Sequence, residues 1–424
     1  MTGLFFLGKP WEGTMTHQFK FSYLLAGAAI TALMAASPAD ARVDGDVITL
    51  GAAVSLTGKY STAGNHTKRG YDLAVKMINA SGGVKVGGKS YKLRVKYYDD
   101  ESTPARGAQL AERLIKQDGV KFMLGPYSSG LTKAIAPVTE KHKIPMVEGN
   151  GASRSLFTKG YKYLFAVLST SEQYLAEAIN LAAEQAKAKG KSPSSVKVAM
   201  AFENDPFSQD VYLGILDGVK KYGMKIVVDD KLPPELNDMT ATLNKVRALK
   251  PDVLVVSGHS KGAATAIRQV RQMKIKVPML AMTHCESAKV TDAKKYGAGA
   301  AENVLCATQW AETMSYKDPV FGSAMAYFKR FAKEYKYNPP YQAAESTASV
   351  YVYAKALEAA NSFDSGKVRA ALAKTNLETF YGGVRFSPAG NNVAKPMILR
   401  QIQNGKYIPV APSKFASGKY KPSM

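Results

Sequence analysis

From Val47 onward, short apolar runs alternate with amphipathic segments. VITLGAAVSLTG gives way to TKRGYDLAVKMINASGG, KLRVKYYDD to ARGAQLAERLIKQDG, and KFMLGPYSS to LTKAIAPVTEKH, before IPMVEGNGAS closes the series. Apolar runs of this length read as buried strands and the intervening segments as helices, so the alternation predicts a parallel sheet covered by helices on both faces. After Gly70, the residues Leu73, Ala74, Met77 and Ile78 recur at helical spacing until Gly82-Gly83 ends the segment. Those side chains are therefore core, packed on the sheet.

A second series follows YLFAVLSTS: VKVAMAFEND, FSQDVYLGILDGVKKYG, KIVVDDKLP, TATLNKVRALK, DVLVVSGHS, AATAIRQVRQM and PMLAMTHCES. Two such series predict an α/β protein of two doubly wound parallel-sheet lobes, which also suits 424 residues, more than one core usually absorbs. Beyond ENVLCATQW the pattern turns helical through DPVFGSAMAYFKRFAKEY, YQAAESTASVYVYAKALEAA and GKVRAALAKT. The chain ends in strands, where Asn404-Gly405 inside PMILRQIQNGKYIPVAP marks a two-residue hairpin turn. The tail from Ser413 to Met424, rich in Lys, Ser and Gly, is expected to be loose.

Residues 1–41 read as a leader. From Met15, Lys20 precedes an apolar run, Phe21 to Met34, and Ala39-Asp40-Ala41 offers a cleavage site, the pattern of a secretory signal peptide. Translation starting at Met15 instead of Met1 would account for the stretch ahead of it, which contains Trp11 and Glu12 and does not fit the pattern. Export to the periplasm is the expectation. The formal net charge is +23, and in the leader Lys9 and Lys20 cancel Glu12 and Asp40, so the exported part carries the excess. Its lysines are dispersed instead of forming a dense run with interleaved aromatics, which argues for a solvated basic surface and against nucleic acid. Cys285 and Cys306 could form one disulfide in an oxidising compartment. The histidines show no H-x3-H spacing and no C-x-x-C is present, so the sequence motifs indicate no metal site.

Ligands of open α/β sheets bind beyond the carboxyl ends of the strands. Here those ends carry small hydroxyls, glycines and a few rings: Thr57 to Thr62, Tyr127 to Gly130, Gly149 to Ser153, Asn204 to Phe207, Ser257 to Ser260 and Thr283 to Glu286. Such residues suit a carboxylate held by hydroxyl and backbone N–H donors; the plainer alternative is turn-making and helix capping. Gly258-His259-Ser260-Lys261-Gly262 spells the G-x-S-x-G of serine hydrolases. His284 is the sole histidine downstream of Ser260, and no acidic residue lies between them, so the order Ser, acid, His cannot be met. No phosphate-binding loop replaces it, and binding without bond chemistry is the expectation.

The runs ITLGAAVSLTGKYSTAGNHTKRGYDLAVKMINASGGV, RVKYYDDESTPARGAQLAERLI, LGPYSSGLTKAIAPV, IPMVEGNGAS and the END loop resemble the leucine/isoleucine/valine-binding family of periplasmic solute receptors for ABC transporters, from about Val47 to about Pro412. The resemblance implies a type I receptor with a three-crossover hinge. Residues 42–167 plus 309–383 would form the amino-terminal lobe and 168–308 plus 384–424 the other. Such a receptor is a monomer without cofactor that closes on a branched-chain or related amino acid and delivers it to an inner-membrane permease. Carried over by position, Ser129, Ser153 and the Ala152 backbone would bind a carboxylate, and Tyr60, Ser61 and Thr62 would form the side-chain wall. Tyr127, Ser128 and Gly151 adjoin them, with Phe207, His259, Thr283 and His284 from the second lobe. The loop MTHCES lacks the acidic residue that usually meets the ammonium group there, unless Glu286 reaches in. A small carboxylate without an ammonium, such as an aromatic acid, is therefore an alternative ligand. A ligand sensor for a signalling partner is the alternative of another class.

Overall fold

The computed structural model describes residues 43–422; the leader expected at residues 1–41 lies outside them. The first sheet is built from β1 (Val43–Asp44), β2 (Val47–Val54), β3 (Val84–Val86), β4 (Lys89–Asp99), β5 (Met123–Leu124), β6 (Met146–Glu148) and β7 (Leu164–Ala166). Its order is β3-β4-β2-β5-β6-β7, with β1 added antiparallel to β2. From β4 to β7 all neighbours are parallel, and the crossovers are helices α1 (Ser61–Ala80), α2 (Pro104–Lys116) and α3 (Ser129–Lys141). Seven of the eight residues of β2 are buried, as expected of a strand covered on both faces.

The second sheet contains β8 (Lys197–Glu203), β9 (Lys225–Leu232), β10 (Val253–Ser257), β11 (Met279–Met282) and β12 (Leu305–Thr308), all parallel to their neighbours. Helices α4 (Ala176–Ala188), α5 (Pro206–Tyr222), α6 (Thr240–Leu249), α7 (Ser260–Gln272) and the single turn α8 (Ala293–Tyr296) accompany them. Two short ribbons follow, β13 (Lys317–Asp318) with β14 (Gly322–Ser323) and β15 (Asn376–Thr379) with β16 (Gly382–Arg385). Between and beside them lie α9 (Ala324–Tyr335), α10 (Tyr341–Ala360) and α11 (Ser365–Ala373). The chain then returns to the second sheet as β17 (Ile398–Gln403) and β18 (Lys406–Ala411), which make its far edge antiparallel and so depart from a purely parallel lobe. Asn404 and Gly405, with φ of 51° and 71°, form the turn between them, the left-handed pair that this dipeptide favours.

Helix α10 is buried on nearly every side and packs on α1. Their approach is close enough that a Cβ at Gly70 would stand 2.3 Å from the Ala343 carbonyl, which is why the position is glycine. The chain passes between the two halves three times, and the three passages are laced together. Ser169 on the first donates its N–H to Gln309 Oε1 on the second (3.1 Å), Gln309 Nε2 donates back to the Ser169 carbonyl (2.9 Å), and Ser169 Oγ donates to the Lys395 carbonyl on the third (2.8 Å). All three residues are buried. Burial pushes Lys395 down to about 7, partly offset by Glu345.

The tail is not loose through Pro422: Gln403 donates to the Lys419 carbonyl, Gln401 donates to the Lys421 carbonyl, and Gln401 accepts from the Lys421 N–H, holding it along β17. Cys285 and Cys306 form a disulfide with Cα atoms 5.9 Å apart. No helix among the described residues is long and apolar enough to cross a membrane.

Candidate functional site

Seven rings converge where the two halves meet. Tyr60 immediately precedes α1, Tyr127 lies in the loop from β5 to α3, and Tyr341 begins α10. From the other side come Phe207 in the first turn of α5, His259 just ahead of α7 and His284 just beyond β11, while Tyr174 sits on the segment after the first passage. Ring centroids are 4.7 Å apart for Tyr60 and His259, 5.2 Å for His259 and His284, 5.2 Å for Phe207 and His284, and 5.0 Å for Tyr174 and Phe207. Tyr127 ties the box together: its hydroxyl is 2.8 Å from His259 Nδ1 and 2.9 Å from His284 Nε2. A hydroxyl can donate to one ring nitrogen and accept from the other, so one phenol joins two imidazoles across the cleft.

The buried carboxyls of the box come from the second half. Glu203 ends β8, and Asp205 caps α5, its Oδ1 accepting the N–H groups of Phe207 (2.8 Å) and Ser208 (3.1 Å). Glu203 Oε1 accepts the His259 N–H at 3.2 Å. It lies so close to the β10–α7 turn that a Cβ at Gly258 or Gly262 would come within 2.6 or 2.5 Å of it. Burial, opposed by the His259 charge, carries Glu203 up to about 7. Burial would raise Asp205 too, but His259 and the Ser208 N–H more than reverse it, leaving this carboxyl below its usual range. Burial opposes protonation of His259, yet Asp205 and Glu203 outweigh it and raise this imidazole above its ordinary value. His284 behaves oppositely: burial, reinforced by His259, lowers it to about 3. The two rings joined by Tyr127 are thus shifted in opposite directions.

Of the residues singled out in the sequence, Tyr60, Tyr127, Phe207, His259 and His284 meet in this box. The small donors are differently placed. Ser129 Oγ accepts the Ser153 N–H at 3.0 Å, keeping its own hydrogen for donation. Ser153, expected to donate to a carboxylate, instead gives its hydroxyl hydrogen to Asp210 Oδ2 on α5 of the facing half, with the Ser155 N–H on the same oxygen at 3.2 Å. Asp210 competes successfully because it is a full acceptor held within reach by the meeting of the halves.

Gly151 and its neighbour Asn150 donate their N–H groups to the buried Glu148, which also accepts from Thr132 Oγ1 at 2.9 Å. The Ala152 carbonyl accepts the Ser171 N–H of the first passage at 2.8 Å. Ser128, strained at φ 90°, turns its hydroxyl to the Leu131 N–H as the cap of α3. Thr62 is exposed, and Ser61 is half-buried with its carbonyl taken by Asn65. Thr283 exchanges two hydrogen bonds with the Gly258 backbone, fixing the end of β11 to that of β10. Glu286 does not enter the box: it pairs with Arg400 on β17 and accepts the Tyr341 N–H at 3.1 Å. Ser260 does occupy a strand-turn-helix junction, but its hydroxyl meets Ser287 Oγ at 2.7 Å, and the imidazole of His284 is engaged by Tyr127.

Sequence reading passed over Glu203, Asp205, Asp210, Tyr174 and Tyr341. The acidic pair had a signal in the END loop at a strand end; the two tyrosines had none, because only the packing of α10 and the passage segment brings them in.

Two hinged α/β halves enclosing a buried box of rings and charges at the strand ends define a receptor for a small ligand. The chain belongs to the family described as periplasmic binding protein, whose model matches residues 47–406. That family consists of periplasmic binding proteins of ABC importers and is not one of enzymes. The chain is 25% identical over 415 residues to Leu/Ile/Val-binding protein homolog 8 of Brucella suis, covering 95% of this chain and 99% of that one. Among solved structures, the branched-chain amino acid transporter substrate-binding protein of Streptococcus pneumoniae in complex with isoleucine superposes with a TM-score of 0.74 at 24% identity, covering 86% of this chain and 100% of that one. An ABC transporter solute-binding protein of R. palustris in complex with benzoate gives 0.71 at 19% identity, covering 89% and 97%. At such identities the likeness is one of fold.

Proposed function

We propose that this protein is the exported substrate-binding component of an ABC importer and that it captures a branched-chain or related amino acid by closing its two lobes, then yields it to an inner-membrane permease. The carrying observation is the ring box with Glu203 and Asp205 beside it. The rings offer an apolar wall, and the carboxylates offer a counter-charge to an ammonium group, the element that the β11 loop lacks in sequence. A buried ammonium without such a partner would be strongly disfavoured. Export with cleavage near Ala41, and action as a monomer, belong to the same reading.

The number of rings favours a second reading, an aromatic carboxylate gripped by offset and edge-on ring contacts. Thermal shift and calorimetry with leucine, isoleucine, valine and phenylalanine against benzoate and 4-hydroxybenzoate separate the two. A ligand at 100 times its Kd stabilises by about 2.7 kcal/mol. Binding of the amino acids supports the first reading; binding of benzoates with silence from every amino acid replaces it with the second; silence from all rejects both.

A further inference from the structure

Glu203, Asp205 and His259 are each buried, and each offers one ligand atom such that all lie within 4.8 Å of one another. The set combines two hard carboxylate oxygens with an imidazole nitrogen, a donor mixture that suits divalent zinc, manganese or cobalt. Donors about 2.1 Å from a common ion stand at most about 4.2 Å apart, so a movement of roughly half an ångström brings all three into range.

Three features beyond proximity favour an ion. Asp205 Oδ2 has no hydrogen-bond partner among the described residues although its residue is only 9% exposed, and the nearest ion-pair atom, His259 Nε2, is 3.6 Å away. The opposite nitrogen of the same imidazole is held by Tyr127 at 2.8 Å, the outer hydrogen bond by which proteins orient a metal-binding histidine. Finally, Glu203 and Asp205 are both buried beside the same imidazole, so an ion among them would be held away from bulk solvent.

We propose that Glu203, Asp205 and His259 form a binding site for a divalent transition ion of the zinc class inside the ligand cleft. Three protein donors leave coordination positions open, which water or the amino or carboxylate group of an organic ligand can take. The site goes beyond the transport reading and does not rest on which organic molecule fills the cleft. The spacing E-x-D on one strand end and a lone histidine fifty-odd residues later match no metal motif; only the pairing of β8 with β10 makes them one cluster.

The test uses the exported chain without a histidine tag, stripped with EDTA and titrated with Zn²⁺ and Co²⁺ by calorimetry and by cobalt absorption. One equivalent of ion at micromolar Kd or tighter is expected, weakened at least ten-fold in Asp205→Asn and in His259→Ala. Asparagine keeps the helix-capping oxygen, so loss of binding in a variant whose melting curve matches the parent reports ligation rather than unfolding. His142→Ala, which alters a half-buried histidine paired with Glu112 outside the box, leaves the affinity unchanged if the proposal holds. Failure of any equivalent to bind, or binding that survives both cleft variants and disappears with His142, overturns it. The organic-ligand screen is run in EDTA, so its outcome stands apart from this one.

Discussion

At the strand ends of the first lobe, polar groups are consumed by the protein itself: Glu148 takes the N–H groups of Asn150 and Gly151, and Ser129 takes that of Ser153. At the strand ends of the second lobe, Glu203, Asp205 and His259 gather charge, and Phe207 and His284 add rings. Similar sheets with similar crossovers thus present a scaffold whose polar groups are mostly paired internally on one side and an ionic face on the other. A strand end rich in Ser and Gly is therefore not by itself a ligand site; what matters is whether its donors already have partners.

The contrast is broken most severely at its scaffold. Glu148→Ala strips the Asn150 and Gly151 N–H groups of their acceptor, removes a partner of Thr132 Oγ1 and leaves a cavity, and is expected to cost about 3–5 kcal/mol of stability in urea melts. Glu148→Gln, which keeps the carbonyl acceptor, is expected to cost much less. Equal effects of the two would show that the scaffold does not depend on this acceptor.

Where the two sides touch, Tyr127→Phe removes the hydroxyl shared by His259 and His284. Ligand affinity is expected to fall by about 1–3 kcal/mol, since buried nitrogens lose their partner. Calorimetry with whichever ligand the screen identifies measures it, and an unchanged Kd would detach the two histidines from binding.

The first lobe has a buried histidine of its own, away from the box. His66 on α1 contacts Tyr337 at 2.8 Å, and burial, with Arg69 and Lys289 nearby, lowers it to about 3. The unfolded chain takes up that proton near pH 6.5, so between pH 6.5 and about 3 the unfolded state binds more protons and stability declines as pH falls. The slope from this group approaches about 1.4 kcal/mol per pH unit well below 6.5. Urea melts at pH 7 and pH 5 should show this part of the acid loss vanish in His66→Gln; an identical decline in both proteins would contradict a neutral His66.

Ser153→Ala is the mildest change, removing one hydroxyl from the contact with Asp210 that joins the halves. A loss of about 1 kcal/mol in ligand affinity is expected, with small-angle scattering showing a more open unliganded protein. No change in either would mean that this contact does not influence closure.

Much of the architecture was legible because apolar runs and glycine punctuation are local. β2, α1 and the Asn404-Gly405 hairpin follow from their own residues. The antiparallel edge of the second sheet was not, since β17 arrives there only after the long helical return. In the cleft, rings adjacent to strand ends could be named in advance, whereas the partners of Ser153 and Gly151 could not. Asp210 lies on a helix of the opposite lobe, and nothing in its own neighbourhood announces a cross-lobe role. Glu148 ends a short apolar strand, and the Asn150, Gly151 and Thr132 groups that meet its carboxyl come from neighbouring loop and helix.

The covalent bridge between Cys285 and Cys306 begins one residue after His284, so the loop that carries this imidazole is anchored to β12. Closing a loop of this size contributes about 3 kcal/mol by restricting the unfolded chain. A reducing cytosol would withhold that anchor. Oxidation state thus sets how firmly the histidine loop is held: the bridged chain fixes it to β12, and a reduced chain would lack that covalent tie.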